Sequence, residues 1–107
     1  MTEPNSDEAL HAELDEGVIM VRGDIDLAGG PVLETVMLQS ETNTPLILDL
    51  KEVRFIDSSG LRCLLGATRR AGERNETVVL RSVGPEVIRL LDITGTSGQF
   101  VIESSRD

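Results

Sequence analysis

The sequence predicts a single α/β domain in which helices pack on a mixed, mainly parallel sheet of four or five strands. Short apolar segments typical of strands alternate with segments whose apolar residues recur at helical spacing. Strands that alternate with helices in this way are usually joined by crossovers and lie parallel. A chain of 107 residues, 39% of them hydrophobic, can bury one modest core.

A β-hairpin is expected first. Leu10, Ala12 and Leu14 alternate with polar residues, as in a strand with one buried face. The turn residues Asp-Glu-Gly follow at positions 15–17, and an apolar run follows them at positions 18–21. The polar, proline-containing residues before the hairpin predict a flexible N-terminal tail. We expect that tail to span residues 1–7 and the domain to span 8–107.

The middle of the chain predicts a helix, a central strand and a second helix. The first helix begins near Pro31, a residue well suited to the first helical position, and runs to about Ser40. The run 46–50 is short and apolar, as in a strand buried on both faces. Leu61, Leu64, Leu65 and Thr68 then share one face of a helix that begins near Ser58 and that Gly72 is placed to end.

A strand over 77–83, a helix from Pro85 that ends before Gly95, and a short strand over 100–102 complete the expected order β-β-α-β-α-β-α-β. No internal repeat is present. The expected core includes Leu48, Leu50, Leu61, Leu65 and Val79.

Composition argues against binding to nucleic acid or to a membrane surface. The chain has no Trp or Tyr on which bases could stack, and its formal net charge of -9 has the wrong sign for phosphate backbones and anionic lipids. A single cysteine, Cys63, excludes an intramolecular disulfide and fits a reducing compartment. Because the N-terminus also lacks the pattern of a signal peptide, we expect a cytoplasmic protein.

The charge is unevenly distributed along the chain. Residues 1–52 hold 12 acidic and two basic side chains, whereas 53–107 hold seven acidic and eight basic ones. The basic residues concentrate at Arg62, Arg69, Arg70 and Arg74, a spacing that places several of them in the second predicted helix. On the exposed side of that helix they would either meet an acidic partner or keep the surface soluble.

The chain offers no familiar catalytic arrangement. Its only histidine, His11, is predicted to lie on the surface of the first strand, remote in sequence from any candidate nucleophile. Zinc-ligand spacing, a phosphate-binding glycine loop and a dinucleotide fingerprint are all absent from the sequence. We therefore expect no intrinsic catalysis and no cofactor.

Three carboxylates are expected to meet at the ends of neighbouring strands. Asp24 and Asp26 follow the second strand, and Asp57 follows the segment 53–56. Oxygen ligands of this kind suit a divalent cation. The alternative is that these carboxylates cap helices and solvate loops, and we favour it over a metal site.

The segment 55–61 reads Phe-Ile-Asp-Ser-Ser-Gly-Leu and predicts a strand-to-helix turn. Asp57, Ser58 and Ser59 are all side chains that accept hydrogen bonds from the first turn of a helix, and Gly60 permits a tight entry. By local chemistry alone, this segment is predicted to supply the N-cap of the second helix.

Together with its surroundings, the segment resembles the signature of the anti-sigma-factor antagonist family, which has the STAS fold. That family carries D-S-S-G or D-S-T-G after a buried strand. Gly-Asp-Ile-Asp at 23–26 is similar to the family's G-E-L-D, and 86–95 is similar to its last helix and the following loop. The resemblance covers roughly residues 10–102.

The resemblance implies that Ser58 is the phosphorylated residue and that Asp26 and Asp57 flank it. The family's partner is an anti-sigma factor with serine kinase activity. The unphosphorylated antagonist binds that factor and frees a sigma factor, the kinase phosphorylates the antagonist with ATP, and a serine phosphatase reverses the modification. The chain would then be a kinase substrate and no enzyme, with a partner surface formed by Asp24, Asp26, Asp57, Ser59, Gly60 and Arg62.

Two departures from the family concern that surface. Gly29-Gly30-Pro31 stands where hydroxyl residues usually cap the first helix, and Arg62 stands where many members have a small residue. The alternatives are a STAS scaffold domain without a kinase cycle and, with less support, a nucleotide-binding domain. The sequence leaves open whether the domain forms a weak homodimer.

Overall fold

The computed structural model describes residues 9–42 and 44–103, so the predicted tail at 1–7 lies outside the described residues. The predicted order of elements is confirmed. The strands are β1 (His11–Asp15), β2 (Val18–Ile25), β3 (Leu46–Ile56), β4 (Val78–Arg81) and β5 (Val101–Glu103). The helices are α1 (Gly29–Ser40), α2 (Ser58–Glu73) and α3 (Pro85–Thr94), followed by a short 3-10 helix, Ser97–Gln99.

The five strands form one sheet in the order β1-β2-β3-β4-β5. β1 pairs antiparallel with β2, and every other pair is parallel, which confirms the mixed, mainly parallel sheet. The hairpin turn places Glu16 and Gly17 at φ values of 52° and 84°. Two consecutive residues with positive φ form a turn whose twist matches that of the flanking strands. This geometry agrees with the hairpin turn that was predicted at Asp-Glu-Gly.

The third strand is longer than the apolar run 46–50 predicted. β3 continues to Ile56, and beyond Asp49 it pairs with β2 alone, because the pairing with β4 ends at Asp49 opposite Arg81. Exposed charged residues such as Lys51 and Glu52 are tolerated in this half of the strand. β2 and the extension of β3 therefore project together to the turn that begins α2.

The helix ends also differ from expectation at two points. α1 begins at Gly29, two residues before Pro31, and packs closely on α2, since a Cβ at Gly30 would lie 2.8 Å from the Cys63 Sγ. Gly72 lies inside α2, and the left-handed residue that follows this helix is Asn75, with φ of 60°. Gly95 ends α3 with φ of 70°, as predicted. Within the described part of the chain, no helix is long and apolar enough to cross a membrane.

Four of the five residues that were predicted to lie in the core are buried, and the fifth is only partly buried. Leu48, Leu50, Leu61 and Val79 are buried. Leu65 is only partly buried and packs at the side of the core, whereas its neighbour Leu64 is 0% exposed. The inward face of α2 is set by Leu61, Leu64, Ala67 and Ala71, and Leu65 lies about 100° away from Leu64 around the helix.

The three arginines of α2 and Arg74, which directly follows it, do not share one exposed face. Arg62 and Arg69 are exposed, but Arg70 and Arg74 turn towards α1 and bind Glu41. The Arg70 Nε lies 2.7 Å from one Glu41 carboxylate oxygen, and an Arg74 nitrogen lies 3.1 Å from the other. These two arginines therefore tie α2 to the end of α1.

Candidate functional site

The candidate site is the turn between β3 and α2, together with the neighbouring turn between β2 and α1. Ile25 and Ile56 are cross-strand partners and the last residues of their strands. Because β2 and β3 are parallel, Asp26 and Asp57 leave the sheet side by side. The structure thus brings together two of the three carboxylates that the sequence placed after strands, whereas Asp24 lies within β2.

Asp57 is the N-cap of α2. Its backbone is extended, and its Oδ1 accepts a hydrogen bond of 3.0 Å from the backbone N–H of Gly60. Its own N–H donates to the carbonyl of Ile25, 3.3 Å away, and its carbonyl accepts from the N–H of Leu61 at 2.9 Å. The turn is therefore fixed both to its own helix and to the adjacent strand.

Asp26 bonds in the same way to the start of α1, although Ala28 directly precedes the helix, and this agrees with the favoured expectation that these carboxylates cap helices. Its Oδ1 accepts from the N–H of Gly29 at 2.8 Å, and its carbonyl accepts from the N–H of Gly30 at 2.7 Å. The available signal was the spacing, because Asp26 and Gly29 repeat the D-x-x-G pattern of Asp57 and Gly60. The glycines at 29 and 30 are weak caps themselves, but the carboxylate three residues earlier supplies the bond.

The two serines of the turn differ in exposure. Ser58, the first residue of α2, is exposed, and Ser59 is half-buried. Neither hydroxyl forms a hydrogen bond with another described residue, so of the three predicted capping side chains only Asp57 caps the helix. Arg62 lies exposed one turn further along α2. The Ser58 hydroxyl is consequently accessible and uncommitted.

Asp24 lies near the same end of β2, opposite Phe55 of β3. Its Oδ1 is buried and has no hydrogen-bond partner among the described residues, while the Phe55 side chain is 49% exposed. No group of three or more His, Cys, Asp or Glu side chains that could hold a metal ion occurs in the described ranges. The bonds of Asp26 and Asp57 to backbone N–H groups instead support helix capping.

Gly60 allows α2 to approach β2. A Cβ at this position would overlap the carbonyl oxygen of Ile25. Gly60→Ala is therefore expected to destabilise the domain by about 1–3 kcal/mol, the usual cost of overpacking. Gly72→Ala is the matched control, because a Cβ there meets nothing within 4 Å and alanine favours the helix. Urea titration should show a lower free energy of unfolding for Gly60→Ala and not for Gly72→Ala. Equal stability of the two variants would contradict this account of the turn.

The only histidine and the only cysteine of the sequence, His11 in β1 and Cys63 in α2, form no hydrogen bond with Ser58. His11 is exposed in β1, opposite Arg22. Burial, assisted by the Glu34 carboxylate, raises the pKa of the Cys63 thiol, and the guanidinium groups of Arg62 and Arg70 only partly oppose this. A protonated thiol is a poor nucleophile.

The sequence also matches a family model described as "Mlab, STAS domain", over residues 8–103. The chain belongs to the STAS domain family. Among the relatives of this STAS domain, an anti-sigma-B factor antagonist of Listeria monocytogenes is 32% identical over 88 residues, which cover 80% of this chain and 77% of the relative. An anti-sigma F factor antagonist of Paenibacillus polymyxa is 31% identical over 91 residues, with coverages of 80% and 78%.

Solved structures agree with the STAS fold. An anti-sigma-factor antagonist (STAS) domain protein from Planctomyces limnophilus superposes with a TM-score of 0.72 at 17% identity and covers 92% of each chain. The Bacillus cell fate determinant SpoIIAA in its phosphorylated form gives a TM-score of 0.61 at 20% identity, covering 89% of this chain and 91% of that one. At these identities the likeness concerns the fold.

Proposed function

We propose that this STAS domain is an anti-sigma-factor antagonist whose binding to an anti-sigma factor with serine kinase activity is switched off by phosphorylation of Ser58. The observation that carries the proposal is an exposed serine hydroxyl at the first position of α2, beside two carboxylates that hold the turn rigid. The names of the relatives support the antagonist role.

In this proposal the unphosphorylated domain binds the anti-sigma factor and thereby frees a sigma factor. The anti-sigma factor then transfers a phosphoryl group from ATP to the Ser58 hydroxyl, and a serine phosphatase later removes it. The domain is a substrate in both steps and supplies no catalytic group or cofactor. A cytoplasmic location fits both the ATP requirement and the single free thiol.

The partner surface is proposed to centre on the β3–α2 turn and to include the adjacent β2–α1 turn. Ser59 and Gly60 supply backbone close to Ser58, and Asp24, Asp26 and Asp57 supply negative charge. Arg62 adds one cation a turn away along α2. Its presence, where many family members have a small residue, gives this surface a mixed charge pattern.

Ser58, and not Ser59, is expected to take the phosphate, because only Ser58 is exposed. The test is incubation of the pure domain with ATP and the cognate anti-sigma kinase, followed by mass spectrometry of the peptide that contains the turn. Ser58→Ala should abolish incorporation, and the control Ser59→Ala should retain it. Phosphate on Ser59, or in Ser58→Ala, would overturn the assignment, and kinase binding without any phosphate would favour a scaffold domain.

A further inference from the structure

Two of the arginines at 62, 69, 70 and 74 have no ion-pair partner among the residues that the structure describes. Arg70 and Arg74 are held by Glu41, whereas Arg62 and Arg69 form no ion pair within the described residues. Both are exposed in a chain whose formal net charge is -9. Carboxylates are plentiful in this protein, yet these two guanidinium groups remain available to another molecule.

The two free arginines lie on the same ridge of α2 as Ser58. At 100° per residue, Ser58, Arg62, Leu65 and Arg69 fall within about 60° of one another around the helix axis. This set of four residues is called the α2 ridge below. A rise of 1.5 Å per residue separates Ser58 from Arg69 by roughly 16 Å, well within the span of one protein interface.

A shallow groove borders the far end of the α2 ridge. It lies between α2 and the residues around the 3-10 helix, and is lined by Leu65, Thr68, Arg69, Thr96 and Gln99. The partly buried Leu65 supplies apolar surface, the threonines and the glutamine supply polar atoms, and Arg69 is the one charged group. A groove of this composition fits an extended or helical segment that carries a carboxylate.

We propose that the α2 ridge docks a carboxylate-bearing segment of the anti-sigma kinase, with Arg69 as the far contact. This inference rests on the proposed function and extends it beyond the phosphorylated turn. The turn itself is negative through Asp26 and Asp57, and the ridge is positive through Arg62 and Arg69. A partner with acidic groups along α2 would fit in one orientation, because the negative turn repels those groups and the complementary charge of the ridge fixes the register.

The test is titration of the cognate anti-sigma kinase with wild type, Arg69→Ala and Arg69→Glu at low and high salt. We expect Arg69→Ala to weaken binding about threefold to fivefold and Arg69→Glu about tenfold or more at low salt, with both differences shrinking as salt rises. In phosphorylation assays, Arg69→Glu should raise KM and leave kcat unchanged, as expected when uniform binding is lost.

Arg22→Glu is the matched control, since it makes the same change in net charge at an exposed position of β2 that faces away from α2. It should bind like wild type, and circular dichroism should show all variants folded. If wild type binds and Arg69→Glu binds equally well, this inference fails and the proposed function stands. If wild type neither binds the kinase nor accepts phosphate, both fail.

A second copy of this acidic chain is the other candidate occupant of the α2 ridge. Sedimentation of the wild type alone separates the two cases. A monomer at working concentration supports the kinase as occupant, and a salt-sensitive dimer that Arg69→Glu dissociates would overturn it.

Discussion

Leu64→Ala is expected to lower the free energy of unfolding by about 2–5 kcal/mol. Leu64 is 0% exposed and belongs to the core between α2 and the sheet, so truncation removes apolar contacts and leaves a cavity. Small domains are stable by only about 5–15 kcal/mol, and the variant would lose a large share of that. Urea titration with matched m-values measures the effect.

Leu65→Ala is the control for this prediction, because the residue is adjacent, chemically identical and only partly buried at the side of the core. We expect a loss of about 1 kcal/mol, in proportion to the smaller area it removes from water. Equal losses for the two variants, or a larger loss for Leu65→Ala, would mean that α2 is rotated about its axis relative to the structure described.

The difference between these two leucines shows where helix periodicity stops being informative. The helical spacing defines a broad apolar stripe on α2, formed by Leu61, Leu64, Leu65 and Thr68. The spacing alone does not determine which of these residues points directly at the sheet. The small residues Ala67 and Ala71 are buried on the Leu64 side, which turns Leu65 to the flank beside the 3-10 helix. Small side chains add little to an apolar pattern, although they determine how closely a helix packs.

The sequence predicted the local hydrogen bonding of the site, but it did not predict how the elements of the site pack together. Asp57 followed by Gly60 predicts a helix entry whatever the surroundings, and the structure has the carboxylate bonded to the glycine N–H. That the turns of Asp26 and Asp57 lie side by side depends on the register of β2 on β3, which no local spacing reveals. The pairing of Arg70 and Arg74 with Glu41 is likewise a consequence of how α1 and α2 meet.

Phosphorylation of Ser58 is expected to weaken kinase binding about a hundredfold without unfolding the domain. The hydroxyl is exposed, so the phosphate needs no room in the core. It would sit at the N-terminus of a 16-residue helix, where free N–H groups and the helix dipole favour negative charge. Asp57 keeps its bond to Gly60 in this arrangement, and the turn retains its cap.

The loss of affinity follows from charge. A phosphoserine adds about -1.5 to -2 charges at neutral pH, beside the carboxylates of Asp26 and Asp57. Unit charges about 6 Å apart at an effective dielectric constant of about 20 repel by roughly 3 kcal/mol, which is on the order of a hundredfold in affinity when the partner brings its own anion to the turn. Arg62, four residues along the helix, is placed to pair with the phosphate and would then be withdrawn from the partner.

The measurement is titration of the kinase with unmodified, phosphorylated, Ser58→Ala and Ser58→Asp protein at two salt concentrations, with circular dichroism of each. Ser58→Ala should bind like the unmodified domain, and Ser58→Asp should bind with intermediate strength because it carries one charge and fewer acceptor oxygens. Repulsion predicts that added salt narrows the gap between the phosphorylated and unmodified forms, whereas steric exclusion by the phosphate predicts a gap that salt leaves unchanged. Tight binding by the phosphorylated protein, or loss of its helical signal, would show that the switch does not act through local charge on a preserved fold.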